Sequence, residues 1–274
     1  MRWADMDLLG HINNVVYVDY LQEARVDMLR THGPSAPTGV LAEGTVVVRH
    51  EVTYVAPLTY QFRPVLIEAW VTEIRAASFT IAYEIFDEDD LGDRRVYVRA
   101  STVLTPYVFA SERPRRVSPE EREMLSEFLE PVERVRPEGA VQRPENAVHY
   151  PVRVRFSDVD VYGHVNNVKY FEFFQEARIS LFSGLWDFGA VTVVVAQTDV
   201  DYRIPILFRP EAYDAWSWIS RVGERSITVE SVICDGDTVL ARARVVIVFF
   251  DQETQRSTRP PEAYLDKLRT LLSP

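Results

Sequence analysis

The 274-residue sequence carries a single cysteine, Cys234. One thiol excludes an internal disulfide and a cysteine-based zinc cluster. It stands in SVICDG, just ahead of a turn, where a small core residue is expected. The five histidines are scattered and no second ligand falls at useful spacing, so neither a metal site nor a cofactor is expected. No apolar run is long enough to span a bilayer, and the opening MRWADMD lacks the apolar centre of a signal peptide. The expectation is a cytoplasmic protein that makes no use of the membrane. Basic charge is also in deficit: 30 Lys and Arg stand against 41 Asp and Glu, a net charge of -11. That excludes a general electrostatic hold on nucleic acid or anionic lipid, and a phosphate-bearing ligand would need a local basic pocket. No Gly-rich phosphate loop is present.

What is present is a chain of ordinary globular composition, 47% hydrophobic and 26% charged, long enough for one large or two ordinary domains. A repeat decides between them. DLLGHINNVVY at 7–17 returns as DVYGHVNNVKY at 160–170. At an offset of 153, taken from Arg2 to Arg155, identical partners are found for Asp5, Asp7, Gly10, His11, Asn13, Asn14, Val15, Tyr17 and the block Gln22-Glu23-Ala24-Arg25. With small changes of offset, TYVAPLTYQFRP at 53–64 corresponds to DYRIPILFRP at 201–210, and ASFTIAYEIFDEDD at 77–90 to RSITVESVICDGD at 225–237. The chain is a duplication.

Each copy reads in the same order. Tyr17, Leu21, Ala24 and Met28 share one face of a helix over 15–29, as do Tyr170, Phe174, Ala177 and Leu181 in the second copy. Val15, Val18, Val26 and Leu29 lie on other faces, which implies a helix covered on more than one side. Asn14 and Asn167 stand where an N-cap belongs, and breakers near 32–34 and 183–184 end the helices. Phe79, Ile81, Tyr83 and Ile85 alternate with Thr80, Ala82, Glu84 and Phe86, the period of a half-buried strand. Asp235-Gly236 marks a hairpin, EDDLGD at 88–93 a longer one, and strands over 96–107 and 239–250 follow them. This is an α+β unit, a helix followed by an antiparallel meander. Ser118 opens a helix running to 129, and the final segment RPPEAYLDKLRTLLSP resembles it, so the units end alike. The expected organisation is one domain over 1–129, a proline-containing linker over 130–148 and a second domain over 149–274. HYPVRV ahead of Arg155 reads as a strand, whereas only Met1 precedes Arg2; the first unit is expected to have a shortened first strand or to start downstream of the natural terminus.

The pattern D-x-D-x-x-G-H-[IV]-N-N-x-x-Y, followed by a helix bearing E-A-R, resembles the 4-hydroxybenzoyl-CoA thioesterase branch of the hotdog-fold superfamily. The resemblance covers nearly all of both units and implies two tandem hotdogs. Each would be a long central helix wrapped by a curved antiparallel sheet, and the two would pair as an internal pseudo-dimer with further homo-oligomerisation left open. It implies an acyl-CoA thioesterase whose substrate is a thioester of coenzyme A or of acyl carrier protein. The plant acyl-carrier-protein thioesterases are similar in carrying two hotdogs, but one of their motifs has degenerated and here both are intact. A hotdog hydratase would show H-D-x-N-P-x-H, which is absent. The alternative is a hotdog that binds acyl thioesters without cleaving them.

Thioester hydrolysis needs a carboxylate to attack the carbonyl or activate water, and donors for the developing oxyanion. The resemblance assigns the carboxylate to Asp7 and Asp160 and the donors to backbone N–H groups at the following helix start, around Asn14 and Asn167. Turn formation is the competing role for these aspartates; Asp5 and Asp158 are read as structural. His11 and His164 would orient the aspartate or touch the acyl carbonyl, or else fix the loop. Asn13 and Asn166 would bond a loop carbonyl or a water. Glu23 and Glu176 are rival bases on the helix, with an internal ion pair involving Arg25 and Arg178 as the competing reading. Arg63 and Arg209, in the repeated FRP, are candidates for the phosphates of coenzyme A or a phosphopantetheine arm, against the plain role of a solvated surface charge.

Overall fold

Each spaced apolar stripe forms a helix. In the first copy it is α1 (Val16–Thr31), which buries Tyr17, Val18, Leu21, Met28 and Leu29. In a computed structural model of the chain, which describes residues 1–32, 41, 44–61, 64–132, 142–183 and 192–272, two compact units emerge, Met1–Arg136 and Pro137–Pro274.

In the first unit α1 is followed by β1 (Thr45–Tyr54), β2 (Leu66–Ile74), β3 (Phe79–Glu88), β4 (Arg94–Val108), the short β5 (Arg113–Pro114) and α2 (Pro119–Glu127). The strands run antiparallel in the order β2-β3-β4-β1, with β5 folded back on β4. Helix α1 packs on β2, as does α2. Beyond α2 the chain is tied to β2 at a bulge: the Val71 N–H donates to the Phe128 carbonyl at 2.9 Å and the Glu130 N–H to the Val71 carbonyl at 2.8 Å. The alternation expected for 79–86 holds on the face carrying Phe79, Ile81, Tyr83 and Ile85, but Thr80 and Phe86 on the other face are buried too. The Arg94 guanidinium, 3.7 Å above the Phe86 ring, supplies part of that cover.

The second unit contains β6 (Val148–Val152), α3 (Lys169–Phe182), β7 (Val193–Tyr202), β8 (Tyr213–Val222), β9 (Ser226–Asp235), β10 (Thr238–Asp251), β11 (Arg256–Ser257) and α4 (Glu262–Thr270). The order is β7-β10-β9-β8-β6, all antiparallel, with β11 on β10. Strand β6 is the HYPVRV strand of the sequence; among the described residues the first unit has no counterpart to it. Gly236 at φ +56° turns the β9–β10 hairpin and Gly92 at φ +83° the longer one between β3 and β4. Leu181, Phe182, Ile219, Val229, Phe249 and Leu265 form one core contributed by α3, β8, β9, β10 and α4. Full burial of each such side chain stabilises by about 1.5–3 kcal/mol. Cys234 is buried among Trp218 and Val232, and burial pushes its thiol up, in keeping with the core role expected of it.

Helix α2 begins on a capping box. The Glu121 N–H donates to Ser118 Oγ at 3.2 Å, the Ser118 N–H donates to the Glu121 carboxylate at 2.8 Å, and Pro119 takes the first helical position. Ser118→Ala is expected to cost about 1 kcal/mol, read as a lower urea midpoint with unchanged slope.

Candidate active site

The repeated motif folds into the same bracket twice. In the first unit the Asp7 N–H donates to the His11 carbonyl at 2.7 Å and the Gly10 N–H to the Asp7 carbonyl at 3.1 Å. The Asp7 carboxylate closes the loop from inside, with Oδ1 accepting the N–H of Leu9 at 2.9 Å and of His11 at 3.1 Å. In the second unit Asp160 Oδ1 accepts from Tyr162 at 2.9 Å and from His164 at 3.2 Å. Gly10 at φ +76° and Gly163 at φ +79° occupy the left-handed region the turn requires. Both aspartates are half-buried, and no protein donor reaches their second oxygen, Oδ2, among the described residues. The turn-forming role and an available carboxylate oxygen therefore coexist, one on each oxygen.

Behind the bracket stands the first aspartate of D-x-D. Asp5 and Asp158 are buried, and each bonds back to the arginine three residues earlier, with the Arg2 N–H donating to Asp5 at 2.6 Å and the Arg155 N–H to Asp158 at 2.7 Å. Their carbonyls in turn accept the N–H of Asn13 and Asn166, each at 2.8 Å. The copies differ here, for the Arg2 guanidinium also bonds Asp5 at 2.9 Å while Arg155 reaches Asp158 through its main-chain N–H. Tyr20 adds its hydroxyl to the Asp5 carboxylate, whereas Phe173 occupies the matching place beside Asp158.

The helix start departs from the sequence expectation by one residue. Val15 and Val168 take the N-cap position expected of Asn14 and Asn167, with no side-chain cap, and Asn13 Oδ1 accepts the Val15 N–H at 3.2 Å and Asn166 Oδ1 the Val168 N–H at 3.1 Å in a turn just ahead of each helix. An asparagine oxygen reaches the N–H two residues on, and here the helix begins one residue later than its apolar pattern. Asn14 plays a different part. The Asn13 N–H is taken by Asp5 and the Val15 N–H by Asn13, and Asn14 keeps an N–H with no acceptor among the described residues. Its carbonyl accepts the Tyr54 hydroxyl at 2.8 Å, and the Asn167 carbonyl accepts that of Tyr202 at 2.8 Å.

His11 and His164 join the motif to the loop beyond β1 in the first unit and beyond β7 in the second, in bridges with Thr59 and Leu207. Their backbone N–H groups, and not their rings, hold the aspartates. Glu23 and Glu176 are exposed, and neither forms the ion pair that was the competing reading. The charges turned inward are Arg25 and Arg178. Arg25 lies beside the Tyr83 phenol, which burial pushes above its ordinary value. Arg209 is already engaged, with its guanidinium bonded to Asp235 at 2.9 and 3.0 Å and lying 3.7 Å over the Tyr213 ring. Holding a phosphate would therefore mean exchanging Asp235 for it in the guanidinium fork. Arg63 lies outside the described residues. Sequence reasoning missed Tyr54 and Tyr202, although their identity at matching places of 53–64 and 201–210 was a usable signal.

Helix on antiparallel sheet, built twice with this bracket at each helix start, defines a tandem hotdog. Residues 1–128 and 154–268 match the Thioesterase-like superfamily. The chain belongs to that superfamily, and with it to the thioester hydrolases. It is 37% identical over 81 residues to the uncharacterized protein YsmA of Bacillus subtilis, a stretch that covers 28% of this chain and spans only 54% of YsmA. To the long-chain acyl-CoA thioesterase FadM of Escherichia coli it is 28% identical over 129 residues, 44% of this chain and 96% of FadM. The 12:0-ACP thioesterase of Umbellularia californica superposes with a TM-score of 0.72 at 15% identity, covering 91% of both chains, a likeness of fold.

Proposed function

We propose that the chain hydrolyses acyl-CoA thioesters to the free acid and coenzyme A, with one carboxylate in each unit, Asp7 and Asp160, as the reacting base or nucleophile. The observation that carries this reading is the divided carboxylate. One oxygen is locked by two backbone N–H groups, the other is unbonded, and the loop runs straight into a helix start. An oxygen that attacks a carbonyl carbon, or takes a proton from water, has to be free of other donors and held still by its neighbours. The Asn14 N–H, unpaired at the start of α1, is suited to receive the oxyanion, and the positive end of the helix favours charge there. The sequence match extends the proposal to Asn167 in the second unit. The likeness to FadM supports coenzyme A as the carrier. Cytoplasmic location accords with the absence, among the described residues, of any helix long and apolar enough to cross a membrane. The boundaries 1–129 and 149–274 are kept as the proposed domain limits.

The test is release of free thiol from short, long and aromatic acyl-CoAs. Turnover of at least one class is expected, and the best substrate names the acyl group. Tight binding of acyl-CoA without release of thiol from any of them would replace this reading by that of a binding protein.

A further inference from the structure

We propose that the apolar side chains bordering each aspartate bracket, Trp3, Leu8 and Tyr60 in the first unit and Phe156, Val161 and Phe208 in the second, form the subsite for the pantetheine arm of the thioester; the inference rests on the reading of these sites as thioester hydrolysing. Trp3 and Phe156 are 72% and 81% exposed, and Leu8 and Val161 94% and 93%, so core packing holds none of the four. Single exposed apolar residues are ordinary on a protein surface, whereas a cluster of them marks a place where something binds.

The members of each set gather on the bracket. In the first unit the Trp3 and Tyr60 rings meet edge-on with centroids 5.7 Å apart. Tyr60 follows Thr59, which bridges to His11, and the His11 N–H holds the Asp7 carboxylate. Leu8 lies in the turn that Asp7 closes by accepting the Leu9 N–H. In the second unit Phe156 and Phe208 meet edge-on at 6.2 Å, Phe208 follows Leu207 in the bridge to His164, and Val161 lies in the turn that Asp160 closes on Tyr162. Each collar is thereby anchored to the groups that fix the reacting carboxylate.

The duplication separates internal from external demands on these positions. Where a side chain bonds within the bracket, at Asp5, Asp7 and Asn13, the second copy has the identical residue. At the collar positions none is identical, for Trp3 stands against Phe156, Leu8 against Val161 and Tyr60 against Phe208, yet each pair stays aromatic or aliphatic. Packing within the unit does not require apolar character of side chains as exposed as Trp3 and Leu8. The shared property answers to a molecule outside the chain.

The chemistry of the thioester selects the arm as that molecule. On one side of the reacting carbonyl is the acyl group, which if wholly apolar gains most from complete burial. On the other is the arm, which carries amides and geminal methyl groups, ends in a phosphate, and has to run out to the nucleotide or the carrier protein. An exposed collar gives apolar contact to the methyl groups and leaves the amides to water. In a chain of net charge -11, none of the exposed residues in 1–10 and 155–163 is acidic, while Arg2 and Arg155 are exposed among them. A phosphate leaving either site meets no exposed carboxylate in these stretches.

The test crosses the arm with the collar. Wild type, Trp3→Ala/Phe156→Ala and Leu8→Ser/Val161→Ser are to be assayed on one acyl group carried by coenzyme A, by acyl carrier protein, by pantetheine and by N-acetylcysteamine, which keeps only the part of the arm next to sulfur, with a thermal melt for each protein. The wild type is expected to favour the pantetheine over the N-acetylcysteamine thioester by at least ~10-fold in kcat/KM, chiefly through KM. Each variant is expected to lose most of that preference, with kcat changed less than about twofold and an unaltered melt. The loss should be equal on each of the coenzyme A and carrier-protein thioesters that the wild type hydrolyses, because they share the arm. The serine pair, placed in exposed turns, decides the matter if the alanine pair melts early. A preference that survives in the variants, equal losses on the pantetheine and N-acetylcysteamine thioesters, or a wild type without any preference would overturn the subsite and leave the hydrolytic reading intact. A loss confined to the carrier-protein thioester would replace it by a protein-docking surface, and one confined to acyl-CoA by a nucleotide contact. Absence of wild-type turnover on every thioester would overturn the hydrolytic reading itself, and this inference with it.

Discussion

Asp7→Asn/Asp160→Asn is expected to lower kcat by at least ~10³-fold while leaving the melt close to that of the wild type. The separation of the two effects follows from the divided carboxylate. Asparagine presents a carbonyl oxygen in the place of Oδ1, so the N–H bonds from Leu9 and His11, and from Tyr162 and His164, can be kept and the loop stays closed. The other atom becomes an NH2 group, a donor without charge, which can neither attack a carbonyl carbon nor take a proton from water. Each single variant should keep roughly half the activity. Alanine is a poorer probe, because it also removes the acceptor that closes the turn. Near-normal thiol release by the double asparagine variant would remove these aspartates from the chemistry and return attention to the exposed Glu23 and Glu176.

The largest effect on stability is expected at Asp5. Its buried carboxylate accepts the Arg2 main-chain N–H, the Arg2 guanidinium at 2.9 Å and the Tyr20 hydroxyl, while its carbonyl holds Asn13. Asp5→Ala leaves the phenol and the Arg2 N–H without their acceptor and is expected to cost about 2–3 kcal/mol at neutral pH. Asp158→Ala should cost less by about 1 kcal/mol, since Phe173 brings no hydroxyl and Arg155 bonds Asp158 through its main-chain N–H without the guanidinium. The pH dependence has a definite sign. Burial by itself would raise the Asp5 carboxyl, but the bonds from Tyr20 and Arg2 hold it below the ordinary carboxylate value. The unfolded chain therefore takes up its proton first as pH falls, at about 3.9. The stabilisation is complete above that pH and is lost as pH drops through the lower folded value. Urea titrations of wild type and Asp5→Ala should differ at pH 7 and converge toward pH 3. A constant difference across that range would show that the charge of Asp5 is not the source of its effect.

How much of this was legible beforehand depends on the range of the interactions. The helices, the strands and the capping box at Ser118 follow from periods and caps spanning a few residues. The structure moved their ends by one or two positions: Val16–Thr31 for a helix read at 15–29, and Arg94–Val108 for a strand read at 96–107. The site was legible as a cluster because Asp7, Gly10, His11, Asn13 and Asn14 lie within one turn and a helix start, and their bonds are local. The division of labour inside the cluster was not. A one-residue shift of the helix start moved the N-cap from Asn14 to Val15 and left Asn13 to make the turn before it, and the motif by itself does not distinguish two adjacent asparagines.

The sequence by itself determined that the chain is two copies of one unit, that each joins an aspartate to a helix start, and in what order helix and strands follow. Those properties reside in identities and periods along the chain. Only the tertiary structure decided that the Asn14 carbonyl belongs to a tyrosine 40 residues away, that Arg209 is taken by an aspartate 26 residues on, and that Arg25, not Glu23, faces inward. A strand end, a hairpin and a helix face meet through packing, and the partner that packing brings to a given atom is not encoded in the few residues around it.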